Sequence, residues 1–440
     1  MKVVKKTLHH IFYYMKNKFI KSTIILIIGG MLTKILSFII RIYFTRVIGD
    51  GINIYSLIMP TYSLLITITQ LGFPLAISNI IAKGKKRGKN VMASVIPISI
   101  VLNLFLILSM VLFAGTLSND LLHEKDAYYP LIACSFVMPF ISLSSIIRGY
   151  FFGKQQMMPH SISNVIEQLF KLFIVIVVLP HLIKYGTLIG ICGYILISIL
   201  SETISIIVFL LYLPKGFKIE KDDLKPDFGT IKDVLAISIP STGSRLIGNI
   251  GYFLEPIVLT FVMMQNGYSN EYIITNYAIY NTYVIGILVV PTFLLGGLST
   301  SLLPEISKNI NNKVKVKRLF KKVMIFSLLL GIIANIAIYI TCPFILKIIF
   351  NTTDGISYIR FLSIFFIMFY FEAPLSSILQ AYNEAKFIMR TTTIGIIIKL
   401  TVMALISYLK IGIYSLIIAE VINILVVTIL NYYKVKKILK

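Results

Sequence analysis

The chain has 440 residues, of which 57% are hydrophobic and 14% charged, and its mean hydropathy is +0.88. That balance excludes a soluble globular protein, whose exterior needs far more charge. The formal net charge of +24 is not read as a nucleic-acid signal, because the basic residues sit in short stretches between apolar runs, where the positive-inside rule accounts for them.

The apolar runs are about twenty residues long, enough to cross about 30 Å of hydrocarbon. Backbone groups in lipid must be bonded within their own segment, which predicts an all-α integral membrane protein. The runs are continuous rather than alternating, so a β-barrel is not expected. In chain order the spacing predicts twelve transmembrane helices at 23–44, 55–82, 91–115, 128–150, 158–180, 187–212, 234–263, 277–303, 319–340, 357–381, 387–408 and 411–433. A basic segment, 1–22, precedes them. From Lys2 to Lys21 it interleaves Leu8, Ile11, Phe12 and Phe19 with lysines, as a helix lying on anionic lipid or as a simple topogenic flank. The predicted organisation is an N-lobe at 23–212, a linker at 213–233, a C-lobe at 234–433 and a basic tail at 434–440. Most of the 42 Lys and Arg fall at the two ends and in alternate loops. Both termini are therefore expected in the cytoplasm of a multi-pass cell-membrane protein.

The two halves resemble each other. Thr33-Lys34-Ile35-Leu36 in helix 1 corresponds to Ser244-Arg245-Leu246-Ile247 in helix 7. Ser144-Ser145-Ile146-Ile147-Arg148-Gly149-Tyr150 corresponds to Ser376-Ser377-Ile378-Leu379-Gln380-Ala381-Tyr382. Lys171-Leu172 matches Lys399-Leu400, and Glu202 matches Glu420. Six helices per half place both halves in the same orientation, as a parallel repeat with a central cleft between the lobes.

Catalytic and metal chemistry find no foothold. Cys134, Cys192 and Cys342 lie in apolar runs without CxxC spacing, and the five His form no constellation. There is no nucleotide-binding loop and no loop long enough for a soluble domain. A non-enzyme without cofactor is expected, driven by H+, Na+ or the membrane potential.

The stretch Gly30-x-x-x-Lys34-x-x-Ser37-Phe38-x-x-Arg41, followed by Ile48-Gly49 and Tyr55, carries a family resemblance. So do Leu71-Gly72-Phe73-Pro74-x-Ala76-Ile77-Ser78, Arg148-Gly149-Tyr150-Phe151-x-Gly153, Glu167-Gln168 and Leu303-Pro304-x-Ile306-Ser307. The chain resembles the stage V sporulation protein B group of the multidrug/oligosaccharidyl-lipid/polysaccharide exporter superfamily, related to MurJ-type lipid II flippases. The likeness spans nearly the whole chain, although MurJ-type flippases have fourteen helices and this chain twelve. The resemblance implies a MATE-like fold and translocation of an undecaprenyl-diphosphate-linked sugar, in cell-wall or spore-cortex synthesis. The implied partners are that lipid-linked oligosaccharide diphosphate and membrane lipids, with no nucleic acid and a monomeric state. The alternative within the superfamily is a MATE-like cation or drug antiporter.

Ionisable residues inside the membrane are costly and mark function by default. Lys34 and Arg245 are repeat equivalents at mid-bilayer depth, and two cations on opposite walls make a site for a diphosphate. The competing reading pairs each with an acidic neighbour in its own lobe. Arg41, two turns beyond Lys34, and Glu255, beside Pro256, complete the expected substrate-binding set. For Glu255 the alternatives are a proton or Na+ coupling site, a partner of Arg41, or a group at the outer interface. Glu372 stands similarly before Pro374. Lys171 with Glu202, and Lys399 with Glu420, are expected as structural intramembrane ion pairs, one per lobe, with Glu167 a candidate to join the first.

Overall fold

A computed structural model describes residues 18–84, 87–214 and 227–440. The expected surface helix around Lys2–Lys21 and most of the 213–233 linker lie outside the described residues. Among those residues the chain is helical, with no strand. We number the helices α1 (Lys18–Ile48), α2 (Gly51–Ala82), α3 (Gly88–Leu121), α4 (Lys125–Gly153), α5 (Met158–Ile183), α6 (Thr187–Leu211) and α7 (Phe228–Gln265). Then α8 begins at Asn270–Ala278, passes through a π-helical turn at Ile279–Val284 and ends as Phe293–Lys308. The last four are α9 (Lys313–Phe350), α10 (Ile356–Ala381), α11 (Ala385–Ser407) and α12 (Tyr414–Leu439). Among the described residues, eleven helices, α2 to α12, are long and apolar enough to cross a membrane, and α1 packs beside them. This is a multi-pass membrane protein.

Several helices exceed their predicted lengths because polar and basic ends continue the helix past the hydrocarbon. Thus α9 starts at Lys313 rather than 319, and α7 at Phe228 rather than 234. One expected helix is broken. Leu71 (φ 39°) and Gly72 (φ 64°) are left-handed and divide α2, and Pro74 opens its second part. Gly72 is needed there for a second reason. A β-carbon would stand 2.6 Å from Thr242 Oγ1 and 3.1 Å from the Ser238 carbonyl of α7, so only glycine permits this approach.

Helix pairing repeats between the halves. In the first, α1 packs on α5, α2 on α4, α3 on α4, α4 on α6 and α5 on α6. In the second, α7 packs on α11, α8 on α10, α9 on α10, α10 on α12 and α11 on α12. Each helix thus has the neighbours of the helix six places later. A buried polar link repeats too. Ser163 and Ser205 share a 2.7 Å hydrogen bond between α5 and α6, and Thr391 donates to Asn431 at 3.0 Å between α11 and α12. The two bundles meet through α1 and α2 on one side and α7 and α8 on the other.

The turns sort into two ends. At the end near the chain termini, called proximal, Lys434 pairs with Glu384 at 2.7 Å and Ser161 donates to the Ile25 carbonyl at 3.2 Å. At the distal end Asn270 donates to the His123 carbonyl at 2.6 Å, and the Gly412 amide donates to the Tyr268 hydroxyl at 2.9 Å.

Gly149 and Gly153 on α4 let the second part of α2 approach closely. A β-carbon at Gly153 would lie 2.6 Å from Ile81 Cβ, and one at Gly149 would lie 3.0 Å from Pro74 Cα. Small residues four apart are the membrane's means of close helix contact. Gly153→Val should cost about 1–3 kcal/mol through overpacking and lower the melting temperature in detergent. Gly30→Ala on α1, where no atom lies within 4 Å, should leave it unchanged. Equal melting temperatures for the two variants would refute this packing account.

Candidate functional site

The substrate-binding candidates divide into two kinds. Arg41 of α1 and Tyr252 of α7 both bond Asn281, and Lys34 and Arg245 lie seven residues before them, so the two stand at matching depth. Both are exposed, although they lie within membrane-spanning helices. Lys34 Nζ sits 4.5 Å over the Phe293 ring of α8 and packs against Gly296. Arg245 Nη2 donates to Gln70 Oε1 of α2 at 3.4 Å. Among the described residues, neither has a carboxylate within ion-pair distance. Two unneutralised cations therefore stand on facing lobes, each leaning on the opposite lobe through a weak contact.

Arg41 does not join them, which corrects the expected set. Its Nη2 donates to the backbone carbonyls of Asn281 at 3.0 Å and Thr282 at 2.9 Å, across the lobe boundary. Gly286 leaves room for the guanidinium, since a β-carbon there would stand 3.2 Å from it. Close by, Arg46 donates to the Ile349 carbonyl at 2.8 Å, Asn53 donates to Thr275 at 3.3 Å, and Ser56 bonds Thr282 at 2.5 Å. These bonds latch the distal halves of the lobes together. Between them lies a polar cavity of about 520 Å³, lined by Arg46, Asp50, Asn53 and Asp354 among others. Further along the seam, Ser63 donates to Asn249 Oδ1 at 2.6 Å, and Asn249 Nδ2 donates to Thr67 Oγ1 at 2.8 Å.

Glu255 is also reassigned. It is buried within the C-lobe and forms an ion pair with Lys399, so it does not face the cleft as a substrate contact. Lys399 pairs at the same time with Glu420 at 2.5 Å. The N-lobe counterpart is different. Lys171 donates to Ser198 Oγ at 2.8 Å and lies 5.2 Å over the Tyr194 ring; the expected ion pair with Glu202 is not formed. The reason is helical phase. Ser198 precedes Glu202 by one turn, about 6 Å along the axis, and stands at the level of Lys171. Arg148, Glu167 and Glu202 lie within electrostatic reach of one another and of Lys171. Arg148 was visible in the sequence within the repeated Ser-Ser motif, yet it lies close enough to a helix end to pass for a loop charge. Gln70, Asn249 and Asn281 are neutral, so a search for intramembrane charge could not find them.

No group of three or more metal-ligating side chains exists among the described residues. All three cysteines are free, and Cys134 and Cys342 are buried.

A family model described as "Polysaccharide biosynthesis protein" matches residues 19–310, and a second model of that description matches 276–440. The chain belongs to the polysaccharide biosynthesis protein family. Within that setting it is 32% identical to stage V sporulation protein B of Bacillus subtilis (strain 168), over 96% of this chain and 85% of that one. It is 22% identical to the lipid II flippase MurJ of the same organism, over 88% of this chain and 77% of that one. Among solved structures, an inward-facing multidrug resistance MATE family transporter of the MOP superfamily superposes with a TM-score of 0.74. That match has 16% identity and covers 95% of this chain and 98% of the other. The fold of this family member is thus MATE-like, with two six-helix bundles.

The two part-buried lysines should respond differently to neutralisation. Lys399→Met leaves Glu255 and Glu420 without their cation. Breaking a buried ion pair from one side costs about 3–5 kcal/mol. The variant should lose most of its folded yield from membranes and melt well below the parent. Lys171→Met removes a bond to a neutral serine and should cost about 1–3 kcal/mol. A Lys399 variant as stable as the Lys171 variant would show that the C-lobe cluster does not depend on its lysine.

Proposed function

We propose that the protein translocates a lipid-linked sugar carrying a diphosphate between the leaflets of the cytoplasmic membrane by alternating access of its two lobes. The observation that carries this reading is the pair Lys34 and Arg245, exposed at matching depth on facing lobes without a carboxylate partner. An uncompensated cation in a membrane interior is costly. Two of them at one level are explained by an anion that arrives there. The guanidinium suits a bidentate phosphate contact, and the ammonium supplies a point charge. Family membership and the likeness to the lipid II flippase support a polyprenyl-diphosphate carrier over a free anion. The likeness to stage V sporulation protein B supports cell-wall or spore-cortex synthesis as the setting.

In this reading the proximal end, rich in Lys and Arg, is cytoplasmic, and the latched distal end faces outward. The diphosphate enters between α1 and α8, meets Lys34 and Arg245, and is released outward when the distal latch opens. An inside-negative potential drives anions outward by about 2.3 kcal/mol per charge per 100 mV. Two phosphate charges would gain roughly 4–5 kcal/mol from it. The buried glutamates of the C-lobe add a proton-coupling route. A drug antiporter of the same fold would present acidic groups in the cleft. Here Glu255 and Glu420 are held inside the C-lobe by Lys399, and the cleft shows cations.

The test is transport in liposomes. Purified protein should move a fluorescent undecaprenyl-diphosphate sugar between leaflets and leave ethidium untouched. Each charge-assisted bond to phosphate is worth about 1.5–3 kcal/mol. Lys34→Gln or Arg245→Gln should therefore weaken substrate affinity by roughly 10–100-fold, with normal yield and melting temperature. Arg245→Lys should fall between parent and Arg245→Gln. Ethidium transport without lipid transport would sink the flippase reading.

A further inference from the structure

Asn281 touches three helices besides its own. Its backbone carbonyl accepts from Arg41 of α1 at 3.0 Å, and its Nδ2 donates to the Ser56 carbonyl of α2 at 3.4 Å. Its Oδ1 accepts from the Tyr252 hydroxyl of α7 at 3.0 Å. It also sits in the π-helical turn Ile279–Val284, a local widening that frequently marks functional positions in helices.

Tyr252 leads elsewhere. It lines a C-lobe cavity of about 220 Å³ together with Glu255, Glu372, Lys399, Glu420 and Asn423. Three carboxylates share one ammonium there. Fully ionised, they would leave the cavity at net −2 inside the membrane, a state that burial strongly opposes. One carboxylate oxygen in the cluster, Glu255 Oε1, is buried without a hydrogen-bond partner, Glu420 Oε2 is held by Lys399 at 2.5 Å, and Glu255 is 2% exposed. The cavity therefore has both the charge and, at Glu255 Oε1, an open acceptor to take up a proton. The groups facing it are Tyr252 and Glu255 from α7, Tyr277 and Tyr280 from α8, Glu372 from α10, Lys399 from α11 and Glu420 from α12.

We propose that Asn281 is a positioning residue that transmits the protonation state of this C-lobe cavity, through Tyr252, to the Arg41 latch between the lobes. The inference rests on the alternating-access reading and adds to it the part that connects the two events. The path has two hydrogen bonds. When the carboxylates gain or lose protons, the field on the Tyr252 hydroxyl changes, and with it the strength of its bond to Asn281. Asn281 carries that change into the turn whose carbonyls hold Arg41. Arg41 is in turn the one guanidinium bonded to two carbonyls of the opposite lobe among the described residues. In the N-lobe the corresponding lysine, Lys171, donates instead to Ser198 within its own bundle.

The experiment reads the distance between the distal ends of the lobes. Tyr185 and Thr353, exposed in distal turns of the N-lobe and C-lobe, are replaced by spin-labelled cysteines. The full-length chain carries Cys134→Ala, Cys192→Ala and Cys342→Ala, and is measured in lipid nanodiscs without substrate across an acid-to-alkaline titration. The parent should shift between a short and a long distance, and Glu372→Gln should displace the midpoint. Asn281→Ala and Tyr252→Phe should each abolish the shift, the latter while removing only a hydroxyl. Arg41→Ala should give the long distance at every pH, which separates a chain unable to open from one that has lost the signal. Preservation of the shift in Asn281→Ala and Tyr252→Phe would overturn the link and leave proton coupling standing. A parent that shows no shift, yet moves lipid-linked sugar in liposomes, would overturn the inference and leave the flippase reading intact.

Discussion

An ionised side chain inside hydrocarbon must be matched by an opposite charge or by backbone dipoles, and the ways this chain meets that demand organise its architecture. Lys399 is matched by carboxylates, between Glu255 and Glu420. Arg41 and Arg46 are matched by main-chain carbonyls, and the carbonyls concerned are not ordinary helical ones. Arg41 ends on the π-helical turn Ile279–Val284 of α8 and Arg46 on the π-helical turn Leu346–Phe350 of α9. A π turn disturbs the i to i−4 ladder and frees acceptors, so these irregularities are the sockets for the N-lobe arginines. Lys34 and Arg245 are matched by neither. Among the described residues, these two cations at the lobe boundary have neither a carboxylate nor a main-chain carbonyl partner.

That distribution shows how a fold shared with multidrug transporters can serve the anionic cargo proposed for this protein. The fold fixes two bundles, a seam between α1–α2 and α7–α8, and a cleft; it does not fix the sign of the cleft. Here the acids are withdrawn into the C-lobe, behind α7, where Lys399 retains them. The cations face the gap. Reversing which charges are paired inside a lobe and which are left facing the cleft would reverse the sign of the cleft without altering a helix.

Much of this was legible in the sequence. Helix number, the parallel repeat and the shared depth of Lys34 and Arg245 follow from hydropathy and register, because lipid imposes span length and the repeat imposes correspondence. The Lys399–Glu420 contact was also legible, since α11 and α12 are joined by a short turn, and residues equally far from that turn must meet. The same reasoning failed for Lys171 and Glu202 because it was applied one turn out of register, where Ser198 stood closer. Arg41 and Glu255 were misassigned for a different reason. A sequence shows that a charge is intramembrane but not which way its helix is rotated, and rotation decided whether each met the cleft, the seam or the lobe interior. The left-handed break at Leu71-Gly72 was marked by Gly and Pro, yet its purpose depends on Ser238 and Thr242 of the other lobe, far away in the chain.

The departure of the two lobes from symmetry is where function enters the repeat. The bundles share their helix pairings and even a buried polar link, Ser163–Ser205 and Thr391–Asn431. Their ionic interiors differ. In the N-lobe, Arg148, Glu167 and Glu202 form a group toward the proximal end, distant from the latch. In the C-lobe the carboxylates lie at mid-helix, one hydrogen bond through Tyr252 from the turn that grips Arg41. Duplicated bundles with identical interiors would respond to protons alike and cancel at the interface. A repeat that keeps its packing while moving its charges in one copy acquires a direction, which the proposed alternating-access cycle would use to link an ion event to one of its two ends.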